Sequence, residues 1–173
     1  MKRVSFSKAA VADLDEIDEY IRKTMSPVAD STMPKQHLNP PDLFPSVQYG
    51  FSQIVSATPG RLIFLSGQVA WDAQQNLIGS NDLKAQMRQA LRNVEKALEV
   101  AGARLRDLVA LRLYIVSYDA ARDAPQIREV LQAVFAGIEP PACTWIGVAA
   151  LANAEFLIEI EATAVVEAGA GAV

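Results

Sequence analysis

Two segments that are apolar on one side only, set between short alternating segments, constrain this fold more than any other feature of the chain. From Asp82 to Ala101, the residues Leu83, Met87, Ala90/Leu91, Val94, Ala97/Leu98 and Ala101 recur every three to four positions, and Gly102 supplies the stop. A second helix opens at Asp123-Ala124-Pro125 with proline in its first turn. It places Ile127, Val130/Leu131 and Val134 on one face and ends near Gly137. Around them, Phe51 to Val55 and Leu62 to Ser66 read as a hairpin across Thr58-Pro59-Gly60. Leu108 to Val116 alternates as a strand, with Leu111, Leu113 and Ile115 opposite Arg112 and Tyr114, and Ala142 to Val148 and Glu155 to Val166 are two further strands. The order β-β-α-β-α-β-β predicts an α+β domain, a mixed sheet with two helices on one face. The last strand carries apolar residues on both faces, Phe156, Ile158 and Ile160 on one and Leu157 and Val165 on the other. The second sheet face is therefore expected to be buried against another subunit.

Composition narrows the chemistry. The chain has 173 residues, enough for one domain, with 51% hydrophobic and 21% charged residues, as in ordinary globular proteins. One histidine, His37, and one cysteine, Cys143, cannot build a tetrahedral His/Cys zinc site, and a lone cysteine forbids an intrachain disulfide. A Ser-His-Asp triad would need His37, which lies in the Pro- and Asn-containing stretch Met33 to Pro41 and reads as a solvated loop residue. A formal charge of −4 without a basic stripe argues against nucleic acid as a partner. The longest uncharged run, between Glu139 and Glu155, is shorter than the roughly 20 apolar residues of a membrane span, and Pro140, Pro141, Gly147 and Asn153 break it. A cytoplasmic protein without membrane association is expected.

The chain divides into an N-terminal extension over 1–35, a main domain over 36–168 and a short tail over 169–173. Met33 stands where the compact part begins and is a candidate alternative start. The opening Val4-Ser5-Phe6-Ser7-Lys8-Ala9-Ala10-Val11-Ala12-Asp13-Leu14-Asp15-Glu16-Ile17 resembles the first strand and helix of ParE/RelE-type toxins, over too short a stretch to carry their activity.

Three constellations bear on function. Ser66-Gly67-Gln68 ends a strand; Gly67 permits close backbone approach by a ligand, and Ser66 offers a donor and an acceptor, although a plain strand-end turn has the same signature. Glu159 and Glu161 share one strand face roughly 7 Å apart. They form either a carboxylate pair able to raise one pKa and orient water or two solvated or salt-bridged side chains. Pro140-Pro141-Ala142-Cys143-Thr144-Trp145 leads rigidly into a strand with the only thiol, for which a buried, inert state is the ordinary outcome.

In this order these pieces carry a resemblance. Phe51-Ser52-Gln53, Leu65-Ser66-Gly67-Gln68-Val69, Gln89-Ala90-Leu91-Arg92-Asn93-Val94, Ala101-Gly102-Ala103, Pro141 to Val148 and Ile158-Glu159-Ile160-Glu161-Ala162-Thr163-Ala164 are similar to motifs of the RidA/YjgF family of enamine/imine deaminases, over about residues 36 to 166. The resemblance implies a chorismate-mutase-like homotrimer, its sheets packed around a central barrel, with small-molecule clefts between subunits. It implies hydrolysis of reactive enamines or imines to a carbonyl compound and ammonia, with no metal or organic cofactor. By position, Glu159 matches the glutamate that places the attacking water, and Ser66 and Gly67 match cleft residues. Phe51, Thr144 and Trp145 join the expected ligand-binding set. Cys143 stands where deaminating members hold the substrate carboxylate with arginine, a contact worth about 1.5–3 kcal/mol. Arg128 stands where the family helix usually has a cleft-facing asparagine. Either Arg128 replaces the missing guanidinium, or the cleft takes a different ligand. The alternative to catalysis is a metabolite-binding or regulatory trimer.

Overall fold

The structure, a computed structural model, describes residues 35–57 and 60–166. The toxin-like opening and the C-terminal tail lie outside the described residues. Strands β1 (Lys35–Leu38) and β2 (Ile54–Ala57) form an antiparallel ribbon. A four-stranded mixed sheet comprises β3 (Arg61–Gln68), β4 (Leu108–Val116), β5 (Ala142–Val148) and β6 (Ile158–Val166), in the order β3-β6-β4-β5. Its β4–β5 pairing is parallel and the other two are antiparallel. Helix α1 (Leu83–Val100) links β3 to β4, and helix α2 (Ala120–Val134) makes the crossover that the parallel pair requires. Among the described residues no helix is long and apolar enough to cross a membrane.

Two expectations are corrected. The hairpin between Phe51–Val55 and Leu62–Ser66 does not form, because β2 pairs with β1 and β3 pairs with β6. The β3 side chain of Leu65 is buried in the core, which only the main sheet offers. The polar Lys35-Gln36-His37-Leu38, hidden between prolines, supplies the partner for β2. Helix α2 begins three residues earlier than expected, capped by Asp119, whose side chain accepts from Arg122 N at 2.9 Å. Asp123 lies inside the helix, its Oδ2 accepting from Asp119 N at 2.8 Å. Pro125 therefore sits in the second turn, where it has no N–H to donate to the helix ladder.

The expected apolar stripe of α1 is the observed one: Leu83, Met87, Ala90, Leu91, Val94 and Leu98 are buried against the sheet. Asp82 caps the start by accepting from Ala85 N at 2.9 Å, a contact worth about 1 kcal/mol. At the other end Gly102 has φ +68°, and Gly102 N→Glu99 O and Ala103 N→Leu98 O close a Schellman motif.

The helices cover one sheet face, where Ile158, Ile160, Ala162 and Ala164 of β6 join Leu111, Leu113 and Ile115 of β4. The other face is open. Paired register places Leu62 beside Val165, Phe64 beside Thr163, and Arg112 beside both Glu161 and Thr144 on it. Leu62 is 57% exposed and Phe64 76%.

Candidate functional site

The residues singled out in the sequence fall into two groups that this chain by itself does not bring together. The first lies at β3 and β6. The register slips between Leu65 and Gln68, so that Ser66 and Gly67 bulge out within β3 rather than forming a strand-end turn. A bulge re-aims the chain, and the Glu159 carboxylate fills the space where a Cβ at Gly67 would stand, 2.7 Å from Glu159 Cγ, so a side chain here would displace it. The amide of Gln68 donates back to Ser66 O at 3.1 Å and reaches its Oγ at 3.4 Å.

The two glutamates of β6 part company. Glu161 accepts from Arg112 Nη1 at 2.6 Å and from Tyr114 Oη at 2.8 Å. The hydrogen bond to Glu161 raises the Tyr114 phenol above its ordinary value. Glu161 is thus a structural ion-pair member. Glu159, half-buried beside Gly67, receives no hydrogen bond and has no ion pair among the described residues. Its strand is positioned by α1: Gln86 Nε2 donates to Glu155 O at 2.9 Å, and Leu157 N donates to Gln86 Oε1 at 2.8 Å. From the same helix, Asn93 Nδ2 donates to Val69 O and Trp71 O at 2.9 and 2.8 Å, holding the chain just after the bulge. The Gln89 to Val94 motif is therefore the scaffold of this group rather than part of it.

The second group lies at the outer edge of β5. Phe51, Arg128, Cys143 and Trp145 line one cleft of about 510 Å³, together with Phe44 and Tyr49. Cys143 and Trp145 pair in register with Leu111 and Leu113 and so point to the helix side of the sheet. Thr144, between them, points to the open face and is exposed. Phe44 meets the Tyr49 and Phe51 rings edge-on at 6.2 and 6.0 Å. The Arg128 guanidinium lies 4.6 Å from the Tyr49 ring centroid. Burial pushes the Cys143 thiol up to about 12, with the Trp145 side chain opposing the shift, so the sulfur is a neutral wall group. Phe44 and Tyr49 escaped the sequence reading, although the aromatic density of residues 44–51 was a signal.

Glu159 and Cys143 lie on opposite faces, with β4 between their strands. Two strand steps of about 4.8 Å and a three-residue offset along β4, from Leu111 to Tyr114, put their backbones roughly 14 Å apart, and the sheet itself separates their side chains.

His37, expected in a solvated loop, is on β1 with its side chain only 3% exposed. Its Nδ1 lies 3.0 Å from Ser52 Oγ, and its Nε2 is 3.8 Å from Glu139. The pattern superficially resembles a catalytic triad. The Ser52 hydroxyl, however, donates to Pro140 O at 2.6 Å, so its proton points away from the imidazole. With Ser52 N donating to Pro141 O at 3.0 Å, this network fastens the β1–β2 ribbon to the start of β5. Among the described residues no group of three His, Cys, Asp or Glu side chains gathers to hold a metal ion.

Comparison with known proteins bears on this arrangement. The family described as Endoribonuclease L-PSP matches residues 44–166. A RutC family protein of Pyrococcus horikoshii is 34% identical over 114 residues, 66% of this chain and 85% of the relative. A 2-iminobutanoate/2-iminopropanoate deaminase of Dermatophagoides farinae is 30% identical over 135 residues, 78% of this chain and 98% of the relative. A crystal structure of a conserved Rid-family protein from Yersinia pestis is 43% identical with a TM-score of 0.74, covering 78% of this chain and all of that one.

Proposed function

Because the chain belongs to the Endoribonuclease L-PSP, or RidA/YjgF, family, we propose that it hydrolyses a reactive enamine or imine metabolite to a carbonyl compound and ammonia. The observation that carries this reading is the Glu159 carboxylate, without a hydrogen-bond or ion-pair partner among the described residues and seated in the space that Gly67 leaves in the bulge. A carboxylate in that state can accept a proton from water as the water oxygen adds to the C=N carbon. The tetrahedral carbinolamine then collapses to C=O as the nitrogen takes up protons and leaves as ammonia. Water adds to a bond that is already electrophilic, so neither a histidine base nor a metal is needed. Ser66 and the backbone of the bulge bind the polar end of the ligand, while Phe51 and Trp145 form walls.

The cleft is assembled between subunits of a homotrimer. Two features support this: Glu159 and the Cys143 cleft cannot meet within one chain, and Leu62 and Phe64 stand exposed on the open face. Without a charged group at Cys143, a metabolite-binding trimer with no turnover is the second reading.

One assay separates them. Imines are generated in situ and keto-acid release is followed above the uncatalysed rate. Acceleration is expected, with Glu159→Gln slowing it by roughly 100-fold or more. Saturable binding without acceleration for a panel of imines selects the second reading, and full activity in Glu159→Gln rejects the mechanism.

A further inference from the structure

The aromatic cleft at β5 contains two buried hydrogen-bond donors, Arg128 Nε and Trp145 Nε1, without a strong acceptor among the described residues. Both are shielded from solvent; among the described residues Arg128 Nε has no hydrogen-bond partner, and Trp145 Nε1 has only the Cys143 sulfur beside it, a weak acceptor. Buried donors are almost always paired, and each orphan is destabilising by about 1–3 kcal/mol. Both belong to residues that line the same space.

The charge of Arg128 is equally unmatched. Elsewhere in and around α2 the charges are paired: Arg122 grips Asp123 at 2.6 and 2.8 Å, and Glu129 lies 2.5 Å from Lys84 and 3.6 Å from Arg88. Arg128 has no carboxylate within 4.0 Å among the described residues, and its recorded contact there is the face of Tyr49. A ring face steadies a guanidinium but leaves its N–H edges unfilled. The planar fork of arginine matches a carboxylate in two parallel hydrogen bonds. The neutral thiol of Cys143 supplies no competing charge. The larger cleft at the N-terminal ends of the two helices, about 560 Å³, lacks this property, since its Arg122 and Asp123 already satisfy each other.

We propose that Arg128 and Trp145 form an anion clamp that holds the carboxylate of an acid whose other end is a large aromatic or apolar group. The clamp reaches the cleft from helix α2 and from β5. The rings of Phe44, Tyr49 and Phe51, packed edge-on, provide the apolar wall that selects the large group over a methyl. The inference deepens the proposed reaction by naming its substrate class, 2-imino acids with bulky side chains, and rests on that reading of the cleft.

Equilibrium binding tests it without requiring turnover. Calorimetric titrations of the full-length protein use phenylpyruvate, its uncharged methyl ester, and pyruvate. Phenylpyruvate is expected to bind at least tenfold more tightly than either of the others. Arg128→Gln is expected to weaken phenylpyruvate roughly 10- to 100-fold while changing the ester little, and Arg128→Lys to recover part of the loss. Trp145→Phe keeps a ring and removes the N–H, and is expected to weaken phenylpyruvate by a smaller factor. Circular dichroism and sedimentation of each variant confirm that fold and assembly are intact. Equal affinity for acid and ester, an unchanged affinity in Arg128→Gln, or no binding of phenylpyruvate at millimolar concentration overturns the clamp. Arg128-dependent binding without imine turnover leaves the clamp standing and rejects the catalytic reading. Imine turnover indifferent to Arg128 does the reverse.

Discussion

Gly67 and Glu159 show how a single missing Cβ makes room for a carboxylate. The carboxylate occupies the space where any other residue would place its side chain, so the glycine and the glutamate act as one unit. Gly67→Ala must push the Glu159 carboxylate off its present position, and a displacement of about 1 Å near the reacting atoms is enough to lower a rate roughly 100-fold. Activity in Gly67→Ala is therefore expected to fall nearly as far as in Glu159→Gln, with the melting temperature little changed because the carboxylate end is flexible. Steady-state assays alongside thermal melts check this; a fully active Gly67→Ala variant removes the coupling. At this scale the sequence marked candidate residues without their states. It offered Glu159 and Glu161 as equals, and only the pairing of β6 with β4, which brings Arg112 and Tyr114 to Glu161, distinguishes them. Cys143 is the opposite case: one residue on a strand sufficed to expect an inert thiol, and burial makes it one.

Elements were legible where their signal was local. The stripe and caps of α1 lie within twenty consecutive residues, and β5 has the expected limits, Ala142 to Val148. The start of α2 was displaced because Asp119 and Asp123 are both plausible caps four residues apart, and the choice rests on which one the backbone of the turn faces. The β1–β2 ribbon was missed because its register partners are polar, four residues long and flanked by prolines. What holds it is a distant contact, the His37–Ser52–Pro140 network. That network has a pH signature. Burial lowers the His37 pKa below its ordinary 6.5, Lys35 adds to the shift, and Glu139 and the Pro140 carbonyl oppose it. Near that pH the unfolded chain binds a proton more readily than the folded one, so His37 contributes stability that is present above its unfolded pKa and lost as pH falls through 6.5 towards the folded value. Urea titrations between pH 7 and 5 are expected to show a steeper loss of stability for the natural chain than for His37→Gln. Identical slopes exclude His37 as the source.

At the scale of the whole sheet, one face is packed and the other is bare among the described residues. Phe64 at 76% exposure, with Leu62 beside Val165, is an apolar surface of the kind that subunit contacts bury. Light scattering is expected to give three times the 18.7 kDa chain mass, and Phe64→Glu to give a monomer with intact secondary structure and no deaminase activity. A monomeric natural chain, or an active Phe64→Glu monomer, excludes the inter-subunit cleft.

The order of helices and strands from β2 onward, the helix-covered face and the family were determined by the sequence itself, because periodicity, capping and motif order are properties of neighbouring residues. Only the tertiary structure decided that β3 pairs with β6 rather than β2, that Glu161, and not Glu159, is engaged by Arg112 and Tyr114, and that Arg128 and Trp145 share a cleft. Each of these depends on which distant groups meet across the sheet, and hydrogen bonding and charge pairing act through space at a few ångströms, whatever the separation along the chain.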